Sequence, residues 1–481
     1  MNHYLIASWV ISKTLSLTYF IAFLSLSTQV LGLYGSRGVL SIDHLLNILD
    51  KELGVSRFRH FPSLFWFASG DFVLKAACLV GMLASTLAFL GFSQSWMLLL
   101  CWLLYLSFSS TGQVFLSYQW DNLLLETGFI ALFFAPFALE WIPFQAYEIH
   151  PMVMALVWLL LFKLMFSSGI VKITNKDPDW KNLSALRFHY WSQPLPNPIA
   201  WFIDKAPLWF HKISCGLMFM VEIFVPFFIL SPGKIAFAGA LLLVGLQILI
   251  VLTGNFAFFN LITIGLALST IADDFWVFTD TSWIRPIGVS TEIAVIALVV
   301  LVPGNLFWIF KTIFEKTKVL DFMLPWMRFL FPFKITNPYG LFAVMTKTRP
   351  ELVLEGSNDG ETWVEYEFKH KPTKLNRAPT FIAPFQPRLD WQMWFAALES
   401  FNENMWLQNL VTRMFDESPE MKEFFKHDPF DGHSPKFLRF VRYNYHFGTW
   451  QDLKSKGQWW TRDGFSVYSP IFARDDESEA P

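Results

Sequence analysis

Long apolar runs separated by short polar connections fill the chain up to about residue 317, and there the pattern changes. Runs close to the ~20 residues that a spanning helix needs fall at 9–33, 72–92, 95–116, 123–142, 151–171, 209–231, 234–253, 255–275 and 289–311. This pattern predicts eight or nine transmembrane helices in a domain covering 1–317. The first run has no cationic stretch ahead of it and no small-residue cleavage site behind it, so a retained helix is expected. The run at 123–142 is the weakest, because Glu126, Pro136 and Glu140 interrupt it.

Beyond residue 318 no apolar run reaches spanning length, and shorter periods take over. In "ELVLEGSNDGETWVEYEFKH", Val364, Tyr366 and Phe368 alternate with Glu365, Glu367 and Lys369, a period of two that predicts a strand with one apolar face. Asn358, Asp359 and Gly360 lie between its two halves and predict a hairpin turn. "FLRFVRYNYHF" alternates in the same way and predicts a later strand. Trp391, Trp394, Phe395 and Leu398 instead recur at helical spacing, as do Trp406, Leu407, Leu410, Val411 and Met414. The expected fold is therefore a polytopic α-helical membrane protein with a soluble α+β, β-sandwich-like domain over 318–474. Residues 475–481, "DDESEAP", are expected to form an acidic disordered tail.

Composition fixes the solvent. Of the 481 residues 54% are hydrophobic and 16% charged, and mean hydropathy is +0.39, whereas soluble domains carry about 25% charged residues. The lipid bilayer is thus a partner. A formal net charge of −2 supplies no basic field for nucleic acid. Cys78, Cys101 and Cys215 all fall within apolar runs, with no paired or metal-ligand spacing, and read as small core residues. No metal site, no cofactor site and no catalytic set emerges: G-x-S-x-G, H-E-x-x-H and phosphate-cradling glycine loops are absent. No internal repeat is evident, which weighs against a repeat-built transporter.

Candidate functional positions are polar groups in apolar surroundings. "SYQWDNLLLETGFIALFFAP", residues 117–136, places Asp121 and Glu126 at the start of an apolar run, and a carboxylate in mid-bilayer costs roughly 2.5–3.5 kcal/mol. Asp121 is expected to be an interfacial first-turn anion favoured by the helix dipole, and Glu126, about one turn deeper, to meet a cation or hydroxyl inside the bundle. The loop at about 172–208 holds Lys172, Asp177, Trp180 and His189 among many aromatic rings. That richness predicts a loop folded back on the bundle mouth, with tryptophans at headgroup level. Lys172 is expected to snorkel, and His189, standing alone, does not make a metal site. Trp391 and Trp394 admit two readings: core packing on the sheet, or an exposed platform that contacts a client.

"YQWDNLLLETGFIALFFAP", "SSGIVKITNKDPDWKNLSALRFHYWSQPLPNPIAW", "QILIVLTGNFAFFNLITI", "NPYGLFAVMTKTRPELVLEGSNDGETW" and "FQPRLDWQMWFAALESF" resemble successive blocks of the lipase maturation factor family. The resemblance runs in order along nearly the whole chain to a closing "WWTRDGFSVYSP". It implies a membrane-embedded maturation factor or chaperone whose client is a secreted lipase or a related secretory protein, with no cofactor and no catalysis. It implies the endoplasmic reticulum membrane for a eukaryotic chain and the inner membrane for a bacterial one.

"GIVKITNKDPDW" is also similar to the segment around the active lysine of the vitamin K-dependent gamma-carboxylases. That likeness supplies the alternative, a membrane enzyme with Lys172 as an intramembrane base and Asp177 and Trp180 as counterparts, although the spacing is stretched and the lysine pair is missing. Such an enzyme requires an intramembrane cavity that Lys172 and a carboxylate face. With nine spans, the loops at 34–70 and 172–208 share a side with the C-terminal domain. The positive-inside rule assigns that side to the cytoplasm, and the family resemblance implies the reverse.

Overall fold

The computed structural model describes residues 4–474 apart from 232, 278–280, 282–283, 287, 315–317 and 319; the expected acidic tail lies outside the described residues. Among them, six helices are long and apolar enough to cross a membrane: Leu5–Ser27, Asp71–Leu90, Pro151–Thr174, Leu208–Phe228, Lys234–Thr253 and Thr291–Ile313. Three other expected spans are shorter. The 95–116 run forms Gln94–Thr111, the 123–142 run forms Gln119–Ala131, and the 255–275 run forms Phe259–Leu268. At 13 and 10 residues the last two are roughly 20 and 15 Å long, short of the ~30 Å hydrocarbon layer.

These two short helices pack against each other in the middle of the bundle. Gln119–Ala131 also touches Leu5–Ser27, Gln94–Thr111 and Pro151–Thr174, and all its apolar residues but Phe129 are buried. Its close approach to the first helix depends on Gly128, where an added Cβ would lie 1.9 Å from the Tyr19 hydroxyl.

The C-terminal region contains one five-stranded antiparallel sheet. Its order is Val364–Glu365, Pro350–Ser357, Phe437–Phe447 and Trp460–Val467, with Phe472–Ala473 also on the Phe437–Phe447 strand. The expected hairpin around Asn358–Gly360 and the expected "FLRFVRYNYHF" strand are both present. The sandwich expectation is corrected: the Arg388–Leu398 helix packs on Pro350–Ser357, and the remaining ribbon, Glu367–Phe368 with Phe425–His427, is two-stranded.

The alternation assigned to 364–368 also fails. Val364 is exposed while Tyr366, Glu367 and Phe368 are all buried, because the chain leaves the first sheet at Tyr366 and pairs with a new strand. Glu367 tolerates burial through ion pairs with Lys374 at 3.0 Å and Arg377 at 3.2 Å.

Bundle and C-terminal region share one continuous apolar core, which runs from Leu15 and Tyr19 through Leu124 to Leu354, Trp391 and Phe440. The loop at about 172–208 belongs to a second cluster, where Trp180, Tyr190 and Trp201 meet Tyr445, Phe447 and Trp460. Trp180 and Trp201 therefore pack in a cluster with residues of the C-terminal sheet. Arg349 fastens this contact by donating to the carbonyls of Trp191 and Pro194, both at 2.8 Å, and to that of Gln193. The 34–70 connection also begins against the C-terminal region, where Arg413 donates to the Gly38 carbonyl and Ser418 to that of Arg37.

Candidate functional site

The charged residues of 117–136 come first, because the structure moves both of them. Asp121 lies in the first turn of Gln119–Ala131 but caps nothing and is fully buried, which corrects the interfacial expectation. Its carboxylate accepts from both terminal nitrogens of Arg388, at 2.9 and 3.1 Å, and from the Tyr105 hydroxyl at 2.5 Å. Arg388 also donates to the Phe115 carbonyl at 2.7 Å.

Five residues on, Glu126 does meet a cation and a hydroxyl, as expected. One oxygen accepts from Lys163 at 2.5 Å; the other accepts from the Asn337 backbone at 3.0 Å, the Asn337 side chain at 3.1 Å and the Tyr339 hydroxyl at 2.8 Å. Asp121, Glu126, Lys163 and Arg388 each have side chains 0% exposed. Two acids and two bases sum to no charge, and each carboxylate accepts several bonds. That is the condition under which buried ions are tolerated. The partners come from both ends of the sequence, so this seam locks Asn337, Tyr339 and Arg388 into the bundle.

The second assembly surrounds Lys172. It does not snorkel. Its ammonium is buried and donates to both oxygens of Glu222, at 2.9 and 2.6 Å, and to the Ser168 carbonyl at 3.0 Å, while lying 5.5 Å from the centre of the Trp180 ring. Glu222 sits in a π-helical turn, Met220–Phe224, inside the Leu208–Phe228 helix; such turns occur frequently at functional sites.

The pair forms part of the wall of a mostly apolar cavity of about 230 Å³, which His189, Tyr190 and Gln247 also line. The His189 ring stacks on Phe256 and stands edge-on to Phe342. No hydrogen bond reaches its nitrogens among the described residues. Burial, and secondarily the charge of Lys172, press its pKa down to about 4, so the imidazole is neutral near pH 7. The Tyr190 hydroxyl likewise has no partner among the described residues, and burial pushes it up to about 12.

The other expected positions are structural in this conformation. Asp177 caps the short Pro178–Lys181 helix and accepts from the Met345 backbone at 2.7 Å. The Trp180 indole donates to the Phe342 carbonyl at 3.0 Å. Trp391 and Trp394 are 3% and 7% exposed, so neither offers a surface to a client. Trp391 packs against Trp120 and Tyr118 of the bundle, whereas the core reading placed it on the sheet. The three cysteines are free and buried. Among the described residues no cluster of three His, Cys, Asp or Glu could hold a metal ion.

Sequence reasoning missed Lys163, Glu222, Tyr190, Arg388, Asn337 and Tyr339. Two of these carried a signal. Lys163 and Glu222 are the lone charges well inside the 151–171 and 209–231 runs, and a charge so placed implies an internal partner.

Both halves of these assemblies fall within regions shared with other proteins. Residues 6–278 match the lipase maturation factor transmembrane domain, and residues 335–470 match the lipase maturation factor C-terminal domain. This chain belongs to the lipase maturation factor family. It is 32% identical to Lipase maturation factor 2 of Xenopus laevis over 96% of this chain and 82% of that protein. It is 31% identical to Lipase maturation factor 2 of Homo sapiens, covering 95% and 81%, and 28% identical to Lipase maturation factor 1 of Mus musculus, covering 98% and 88%. No solved structure matches. In this lipase maturation factor chain the buried seam joins the two family domains, since Asp121, Glu126 and Lys163 lie in the first and Asn337, Tyr339 and Arg388 in the second.

Proposed function

We propose that this chain is a membrane-embedded maturation factor that helps secreted lipases, or related secretory clients, to fold and assemble. The observation that carries this reading is the match to both family domains along nearly the whole chain. It acts as an integral protein of the endoplasmic reticulum membrane in a eukaryotic cell or of the inner membrane in a bacterium. Its C-terminal domain faces the compartment in which the client folds. Gln94–Thr111, Gln119–Ala131 and Phe259–Leu268 are embedded with the six long helices, which brings the membrane domain to the eight or nine segments read from the hydropathy pattern.

The chain works by contact with its client and without a cofactor. The cavity beside Lys172 is what an enzyme with a lysine base would need. Against that alternative, all three donors of an ammonium are accounted for at Lys172 by Glu222 and the Ser168 carbonyl.

The test is a cell in which the gene for this chain is deleted and a secreted lipase is expressed. The expected result is retained, inactive lipase, secretion restored by the wild-type chain, and lipase recovered on crosslinking in intact membranes. Equal secreted lipase activity with and without the chain overturns the proposal.

A further inference from the structure

The cavity lies outside the maturation-factor reading, which requires contact with a protein client. Its shape and lining point to a small ligand. At about 230 Å³ it exceeds the ~150 Å³ cavity that holds one benzene and stays below the roughly 300–1,000 Å³ of pockets for drug-sized ligands. That is room for a single hydrocarbon chain and too little for a two-chain phospholipid.

Its mouth gives the route of approach. Phe210 and Leu249 line the cavity and are 37% and 60% exposed. Both project from candidate spans, Leu208–Phe228 and Lys234–Thr253, so the rim opens toward hydrocarbon. A ligand arriving there is already dissolved in the bilayer.

The polar part of the wall sets the head group. Tyr190 lines the cavity, and its hydroxyl has no hydrogen-bond partner among the described residues, which leaves it free to bond a ligand. His189 beside it offers a neutral ring, which has one donor and one acceptor. Among the described residues the charges facing the cavity are Lys172 and Glu222, which already neutralise each other. An anionic head would compete with Glu222 for a saturated ammonium, and a cationic head would have to displace Lys172. Either leaves a charge stranded in a medium of low dielectric.

We propose that this cavity binds one uncharged single-chain amphiphile from the bilayer, its hydroxyl or ester carbonyl held by Tyr190 and His189 and its chain lying among Leu164, Met165, Leu246 and Ile250. Gln247, held by Asn260 at 2.8 Å, closes the polar side of the chain site. The π-helical turn at Met220–Phe224 turns Glu222 inward, and Glu222 in turn fixes Lys172.

The experiment uses the full-length chain in phosphatidylcholine nanodiscs with a monoacylglycerol carrying a diazirine in its acyl chain. Illumination is expected to leave adducts on Pro151–Thr174 and Lys234–Thr253. Unlabelled monooleoylglycerol should suppress them, and a permanently charged alkyl sulfonate of the same chain length should do so at least roughly tenfold less well. Leu246→Trp, which fills the chain site, should abolish the adducts while the chain still melts cooperatively. Tyr190→Phe, which keeps the ring, should weaken competition by roughly two- to tenfold. Labelling unchanged in both variants, or equal competition by the sulfonate, overturns the proposal. If Leu246→Trp does not melt cooperatively, Tyr190→Phe alone decides, in the same two directions.

Discussion

Two buried ion-pair assemblies stand in the same bundle and differ in what surrounds them. At the seam, Asp121 and Glu126 together accept seven hydrogen bonds, and their side chains are fully buried. At the cavity, Lys172 and Glu222 satisfy each other, while the Tyr190 hydroxyl and His189 ring line open volume and have no hydrogen-bond partner among the described residues. The first arrangement uses charge to fix one geometry between two domains. The second uses a compensated pair as a neutral wall and leaves the neighbouring polar groups available. A buried charge alone therefore does not mark a binding site; an unpartnered neighbour beside a void does.

The largest expected effect breaks the seam. Arg388→Met leaves Asp121 as an uncompensated buried anion, and loss of one member of a buried pair destabilises by about 3–5 kcal/mol. Because Asp121 is as deeply buried as Glu126, Asp121→Asn should be damaging too, against the milder effect its interfacial reading implied. Thermal melting of the full chain in detergent should show a large downward shift for Glu126→Leu, and the double variant Glu126→Leu/Lys163→Met should recover part of it. A double variant no more stable than the single one would show that pairing is not what the seam contributes.

A somewhat smaller effect tests whether the seam's helix is held by close approach. Gly128→Ala sets a methyl 1.9 Å from the Tyr19 hydroxyl, and overpacking of this kind costs about 1–3 kcal/mol. Tyr19→Phe removes the clashing oxygen, so the pair Gly128→Ala/Tyr19→Phe should melt above Gly128→Ala alone. Identical midpoints would mean that the helix shifts freely, and the rigid-seam account would fail.

How far the sequence disclosed these two assemblies follows from where their partners sit. Hydropathy located the bundle because apolar runs are local, but it overestimated run 123–142, since burial among neighbouring helices and burial in lipid select the same residues. Period-two and helical spacing found the Phe437–Phe447 strand, Arg388–Leu398 and Trp406–Phe415. The break at Tyr366 escaped because strand exchange is set by pairing with Phe425–His427, far along the chain. Glu126 was legible as needing a cation; Lys163, 37 positions away, was visible as an isolated charge. Arg388, 267 positions from Asp121, gave no sign among the cations of a charged domain. His189, Tyr190 and Glu222 converge only in three dimensions.

The cavity also predicts a pH response. The folded-state pKa of His189 lies near 4, below the ordinary value of about 6.5. The unfolded chain therefore binds more protons between those values, and stability rises with pH across that window. The His189 contribution is fully present above about pH 6.5 and declines as pH falls toward 4. Melting temperature measured from pH 7 to 4 should fall less steeply in His189→Gln than in wild type. Parallel curves would show that His189 is not held neutral by its surroundings.

The smallest effect gives the sharpest contrast, because it compares two buried tyrosines that differ in one bond. Tyr339 donates to Glu126 at 2.8 Å, and a hydrogen bond to a charged group contributes about 1.5–3 kcal/mol, so Tyr339→Phe should lower the melting midpoint measurably. Tyr190 donates to nothing among the described residues, so Tyr190→Phe removes a hydroxyl that the empty protein does not use. Its stability in detergent should change by less than about 0.5 kcal/mol, the usual range for a substitution that breaks no contact. Adding a monoacylglycerol should then raise the midpoint of the wild-type chain more than that of Tyr190→Phe, since a ligand stabilises in proportion to its occupancy. Equal losses from the two substitutions in the absence of lipid would mean that Tyr190 is already satisfied, and the distinction between seam and cavity would collapse at its most specific point.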